Sequence, residues 1–142
     1  MMPFSRTEQI LSRVLDCLLN ATPAGDRVER GRQAAYAAGD APAINIKRDD
    51  GETRAFAGTK DHNTQQFTVE CYAQGDDYET ATDTLHVVAH RLLLADPILA
   101  QLGKGLRCTN TSMSGDEAEF AAGRLTARYE IQFLTQTGDL AA

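Results

Sequence analysis

Two histidines set four apart, His86 and His90 in "DTLHVVAHRLLLADP" (residues 83–97), come nearer to a catalytic signature than anything else in the chain. On a helix that spacing puts both imidazoles on one face. In zinc hydrolases a glutamate directly after the first histidine completes the H-E-x-x-H metal site. Here Val87 stands in that place, and the remaining histidine, His62, lies in a polar stretch with no recognisable ligand spacing to the pair. The two histidines therefore read as a solvated helix flank beside Thr82 and Asp83, where substitution costs no more than about half a kcal/mol. The rival reading is a small metal-dependent enzyme that uses His86, His90 and an acidic residue.

The other chemical signatures fail on similar grounds. There is no G-x-S-x-G, and no cysteine sits in a catalytic signature. "LGKGL", residues 102–106, lacks the phosphate-cradling loop G-x-x-x-x-G-K-S/T. "GDDYE" resembles the magnesium-binding hairpin of polymerases but leads into a helix, so Asp76 and Glu79 read as a helix start that complements the orphan N–H groups. No cofactor is implied.

Bulk properties narrow the partners. A chain of 142 residues fits one domain, residues 1–142, able to bury a core without staples. The net charge of -6 and pI near 5.0, with basic residues scattered, argue against nucleic acid or an anionic membrane as the partner. No apolar run approaches the length of a membrane span. Cys17, Cys71 and Cys108 are odd in number and far apart, which suggests a reducing compartment rather than a disulfide framework. The apolar run after Arg13 is interrupted by Asp16, so an export signal is not expected.

The elements that must position these residues follow from periodicity. Ser5 and Glu8 make a capping box, after which Ile10, Leu11, Val14, Leu15, Leu18 and Leu19 recur at helical spacing until Thr22-Pro23. "RVERGR" and "PAINIKR" read as strands, and "RDDGE" carries the Asp-Gly signal of a tight turn. A polar loop over residues 51–63 follows. "QQFTVECYA" alternates Phe67, Val69 and Cys71 against Gln66, Thr68, Glu70 and Tyr72, as a half-buried strand should. A helix over residues 78–95 carries the histidines and an apolar face of Leu85, Val88, Ala89, Leu92 and Leu93. Asp96-Pro97 ends it, and "ILAQLG" reads as a short turn. "LRCTNTSM" and "RLTARYEIQFLT" are closing strands around an acidic loop, "SGDEAEFAAG". The expected class is α+β: a mixed, mostly antiparallel sheet of four to six strands with two helices packed on one face.

Taken together, the segments resemble the tail terminator proteins of long-tailed bacteriophages, the family that includes the minor tail protein capping the lambda tail. The resemblance spans nearly the whole chain as a pattern of segments. An opening helix leads to a strand with Arg27, Val28 and Arg32, then to Pro42-Ala43-Ile44 with Asp50 and Glu52 beyond it. "FTVECYAQGDD", residues 67–77, matches the strand entering the second helix, and Asp96-Pro97 with Leu99 matches that helix's end. Residues 123–135 match the closing strand, and Gly138-Asp139 the tail. Many relatives carry Tyr-x-Thr where this chain has Phe133-Leu134-Thr135.

The resemblance implies a mechanical, non-enzymatic role in a phage or prophage virion tail assembled in the bacterial cytoplasm. Such a protein forms a ring, usually a hexamer, on the finished tail tube, halts tube polymerisation and presents the surface for the head–tail joining protein. Another oligomeric phage neck or connector protein is a further alternative. Within the chain, the strand edge over residues 43–48 and the adjoining loop are the expected contact surface for a neighbouring subunit or the tube. The candidates there are Lys47, Arg48, Asp49, Asp50, Glu52, Lys60, Asp61 and His62.

Overall fold

The structure, a computed structural model, describes residues 3–117 and 120–142. Helix α1 spans Arg6–Leu18, and Ser5 caps it by accepting a hydrogen bond from the Glu8 N–H at 3.1 Å. The reciprocal half of the capping box is not made. The Glu8 carboxylate instead accepts two bonds from Arg30, at 2.6 and 3.0 Å, and so ties α1 to the first strand. The helix stops one turn earlier than its apolar spacing predicts, because Leu19 is extended and Asn20 adopts φ 59, a left-handed conformation that asparagine tolerates.

Strand β1, Val28–Arg30, pairs parallel with Ile44–Ile46 of β2, which spans Ala43–Ala55. β3 (Lys60–Gln74) runs antiparallel to β2 and, along its whole length, antiparallel to β5 (Ala121–Gln136). β4 (Lys104–Glu117) is the far edge, giving the order β1-β2-β3-β5-β4. Both β3 and β4 are antiparallel to β5, so they run parallel to each other. Their connection is the helical crossover of α2 (Tyr78–Ala95) and α3 (Pro97–Leu102). The segment expected as a turn is thus a third, short helix, started by Pro97 and capped by the Asp96 carboxylate. Likewise β4 continues through residues 114–117 and β5 already starts at Ala121, where an acidic loop over 114–123 was expected; residues 118–119 of it lie outside the described residues. No helix among the described residues is long and apolar enough to cross a membrane.

Register explains the core. Ile44, Cys71 and Leu125 stand side by side, as do Ile46, Val69 and Ala127, then Phe67 and Tyr129. This period-2 face meets Ile10, Leu11, Val14 and Leu18 of α1 and Leu85, Ala89 and Leu93 of α2 in one buried cluster. Leu15 is only half-buried and Leu19 is 37% exposed, so they border the stripe rather than fill it. Leu11→Ala should accordingly lower unfolding stability by about 2 kcal/mol or more, and Leu15→Ala by less, in urea melts. Equal losses would show that burial in α1 is assigned wrongly.

Tyr72 alternates away from that core, as expected, but it is not solvated. Residues 31–42 fold over it and stack Tyr36 on its ring at 4.3 Å, with Ala43 and Ala122 alongside in a second, smaller cluster.

Candidate functional site

The histidine pair is the first place where structure and sequence part. His86 and His90 do share one flank of α2, but the flank faces Tyr129 of β5 rather than open solvent. His86 Nε2 and His90 Nδ1 each lie 2.8 Å from the Tyr129 hydroxyl, and both rings are half-buried. The flank is partly exposed, as expected, but the expectation that it is simply solvated is corrected: the position of β5 beneath this side of α2 engages both ring nitrogens. Tyr129 is completely buried and stacks on Phe67 with ring centroids 5.4 Å apart.

A phenol has one hydrogen to give and two lone pairs. Both contacts are satisfied only when one imidazole accepts the phenol proton and the other donates its own N–H. Two imidazolium rings at 5.8 Å would repel each other and leave the phenol proton without an acceptor. Burial, then the neighbouring His90, pushes the His86 pKa below its ordinary value, while Asp83 opposes the shift. Burial pushes the Tyr129 hydroxyl well above the ordinary tyrosine range, so it stays a neutral phenol. The point where the two ring nitrogens converge is filled by the hydroxyl. Among the described residues no group of three His, Cys, Asp or Glu side chains is placed to hold a metal ion. His62 is remote from the pair: it sits opposite Leu134, five positions along β5 from Tyr129, and contacts Gln132 at 3.2 Å.

The expected loop over residues 51–63 is instead a protruding hairpin arm. Gly51 pairs with Gln65, Glu52 with Thr64, Thr53 with Asn63, Arg54 with His62 and Ala55 with Asp61. The reversal lies further out, over Phe56 to Thr59, closed by Phe56 N–H donating to the Lys60 carbonyl at 3.0 Å, with Gly58 at φ 61. The Asp-Gly signal marks a bulge, not a turn: Asp49 and Asp50 stand against the single residue Gln66 where the register shifts between Arg48 and Gly51. Its freed carbonyls are satisfied by Gln65, whose Nε2 donates to Asp49 O at 2.8 Å and Asp50 O at 3.3 Å; Thr68 donates to the Asp49 carboxylate.

The candidate contact residues are thereby strung along a ribbon and do not converge on one point. β1 covers β2 only as far as Ile46, so among the described residues no strand lies beside the outer edge of β2 from Lys47 to Ala55, over about 26 Å. Lys47 pairs with Glu70 at 3.3 Å on the helix-free face, and Glu52 pairs with Arg54 at 2.9 Å. Arg48 and Asp50 are exposed beside the bulge. Lys60, Asp61 and His62 start β3 at the arm's far end, where Asp61 accepts a 3.4 Å bond from Thr137. The charges and the bulge blunt indiscriminate pairing along this edge without covering it.

Tyr129 was missed as a site residue although a signal existed: an inward-facing tyrosine must find a partner for its hydroxyl, and a helix with two histidines on one flank supplies one. α2 spans Tyr78–Ala95 as expected, but its N-cap is Asp77 rather than Asp76, and no side chain makes a cap bond. No protein-family model matches the chain, and no curated protein is similar to it.

Proposed function

We propose that the chain is a structural tail protein of a long-tailed bacteriophage or prophage. It closes into a ring, a hexamer, on the end of the tail tube, stops addition of tube subunits and presents the surface that the head–tail joining protein engages. It works in the virion tail after assembly in the bacterial cytoplasm and carries no catalytic centre.

One observation carries this reading beyond the segment pattern. The sheet has two unlike free edges, the charged and bulged arm of β2 on one side and β4 on the other. A ring of identical subunits needs a heterologous contact in which one patch meets a different patch on the neighbour, and two unlike edges on one sheet supply such a pair. The acidic balance of 20 Asp and Glu against 14 Lys and Arg suits a conduit that must not trap the DNA passing through it.

Incubation with purified tail tubes, viewed by negative-stain microscopy, tests the proposal. The expected result is added density at one tube end and arrest of further polymerisation. Tubes that elongate normally with the chain in excess would overturn it, and stoichiometric zinc retained through dialysis would favour the metal-enzyme reading instead. Reversing the exposed arm charges, Arg54→Glu with Lys60→Glu, should abolish capping and shift stability by only about half a kcal/mol.

A further inference from the structure

At the end of the sheet where β3, β5 and β4 meet α3 and the start of α1, the fold leaves a pocket of about 360 Å3. Its floor is firm. Gly103 joins α3 to β4 so closely against β5 that a Cβ there would lie 2.6 Å from the Ile131 side chain and 2.9 Å from the Gln132 carbonyl oxygen. Its rim is apolar and wet, with Phe56 at the tip of the arm 62% exposed and Leu134 38% exposed.

Beside the neutral amides of Gln101 and Gln132, the ionisable groups in the pocket are all basic. Arg6, His62 and Lys104 line it and no aspartate or glutamate does, in a chain that carries an excess of acids. Elsewhere in the fold Arg13, Arg30, Arg32, Arg54 and Arg107 each hold a carboxylate. Arg6 and Lys104 have no ion pair among the described residues. Arg6 gives one bond, from Nη1 to the Leu102 carbonyl at 3.1 Å, and its Nε is buried with no acceptor. A cation with uncommitted donors beside an exposed aromatic wall is half of a charge-assisted contact.

The geometry points to a docking pocket for a segment of a partner protein that carries a bulky apolar side chain next to a carboxylate. The apolar group lies between Phe56 and Leu134, and the carboxylate meets Arg6 and Lys104. The occupant is a protein segment because the apolar wall is a rim at the tip of a projecting hairpin. Exposed aromatic anchors beside arginine characterise protein interfaces. Charge complementarity selects an acidic segment over a basic one. The pocket does this whether or not the chain caps a tail, and capping can succeed with the pocket silent.

The probe is a blocked pentapeptide, acetyl-Gly-Phe-Asp-Gly-Gly-amide, titrated into the isotope-labelled full chain while amide shifts are followed. Saturable shifts centred on Phe56, His62, Lys104 and Leu134 are expected, with a Kd of about 1 mM, as befits a fragment. Replacing the peptide's aspartate by asparagine, or its phenylalanine by alanine, should weaken binding about tenfold. Lys104→Glu, at an exposed position where folding is not at stake, should do the same. Shifts that do not saturate, that centre elsewhere or that persist equally with the asparagine peptide would overturn the proposal.

Discussion

Tyr129→Ala should destabilise the chain by about 3–5 kcal/mol, and Tyr129→Phe by about 1–3 kcal/mol, in urea unfolding at neutral pH. The two numbers separate two contributions. Alanine removes a ring that is fully buried and stacked on Phe67 in the middle of the sheet, leaving a cavity that rigid strands on both sides cannot close. Phenylalanine keeps the ring and deletes only the oxygen, which strands His86 Nε2 and His90 Nδ1 half-buried without their 2.8 Å partner. If the phenylalanine variant matches wild type, the shared hydroxyl has no net value. If it matches the alanine variant, the ring packing does not matter. The paired change His86→Ala with His90→Ala also acquires a real cost, since it orphans a buried hydroxyl.

The same cluster sets a pH dependence. Burial lowers the His86 pKa in the folded chain below its unfolded value of 6.5, so below that pH the unfolded state binds the proton more readily. The contribution is fully present above 6.5 and is lost as pH falls from there through the depressed folded value. Glutamine at this position keeps a hydrogen-bonding group and cannot titrate. His86→Gln should flatten the part of the fall in stability that sets in as pH drops below about 6.5.

Which of these features the sequence disclosed depends on how local their causes are. The Ser5 cap, the α1 stripe and the alternation of β3 and β5 were legible because each arises within one element facing one core. The arm was misread because a bulge and a tight turn draw on the same residue types. What holds Asp49-Asp50 as a bulge is the Gln65 side chain across the hairpin, while Gly58 alone is a weaker turn signal. The helical wheel placed His86 and His90 together correctly. Whether that flank faces water depends on β5 lying between β3 and β4, which is a fact of topology and not of spacing. Tyr72 follows the same logic: alternation gave its side of the sheet, and a segment some 36 residues earlier buried it.

Asp96 concentrates the last and second-largest effect in one carboxylate. The sequence shows it only as a helix stop before Pro97. In the fold it caps α3 by accepting the Leu99 N–H at 2.9 Å, and it receives two bonds from Arg13 of α1, from Nε at 2.9 Å and Nη2 at 2.6 Å. It thereby pins α1 to the joint between α2 and α3. Asp96→Ala should cost about 1 kcal/mol for the lost cap and more for the lost Arg13 pair, whose worth is limited because Arg13 still reaches water. Asp96→Asn keeps a good capping oxygen and loses the charge, so it should fall between wild type and alanine. The Arg13 hydrogen bond holds the Asp96 carboxyl below its ordinary value of 3.8 against the opposing effect of burial. Its stability contribution is thus present above that value and is lost as pH falls through the depressed folded pKa. A double-mutant cycle of Arg13→Ala with Asp96→Asn should return a favourable coupling at neutral pH that shrinks in acid. Zero coupling at neutral pH would mean that Asp96 matters only as a cap, and α1 would then be held to α2 and α3 by apolar contact alone.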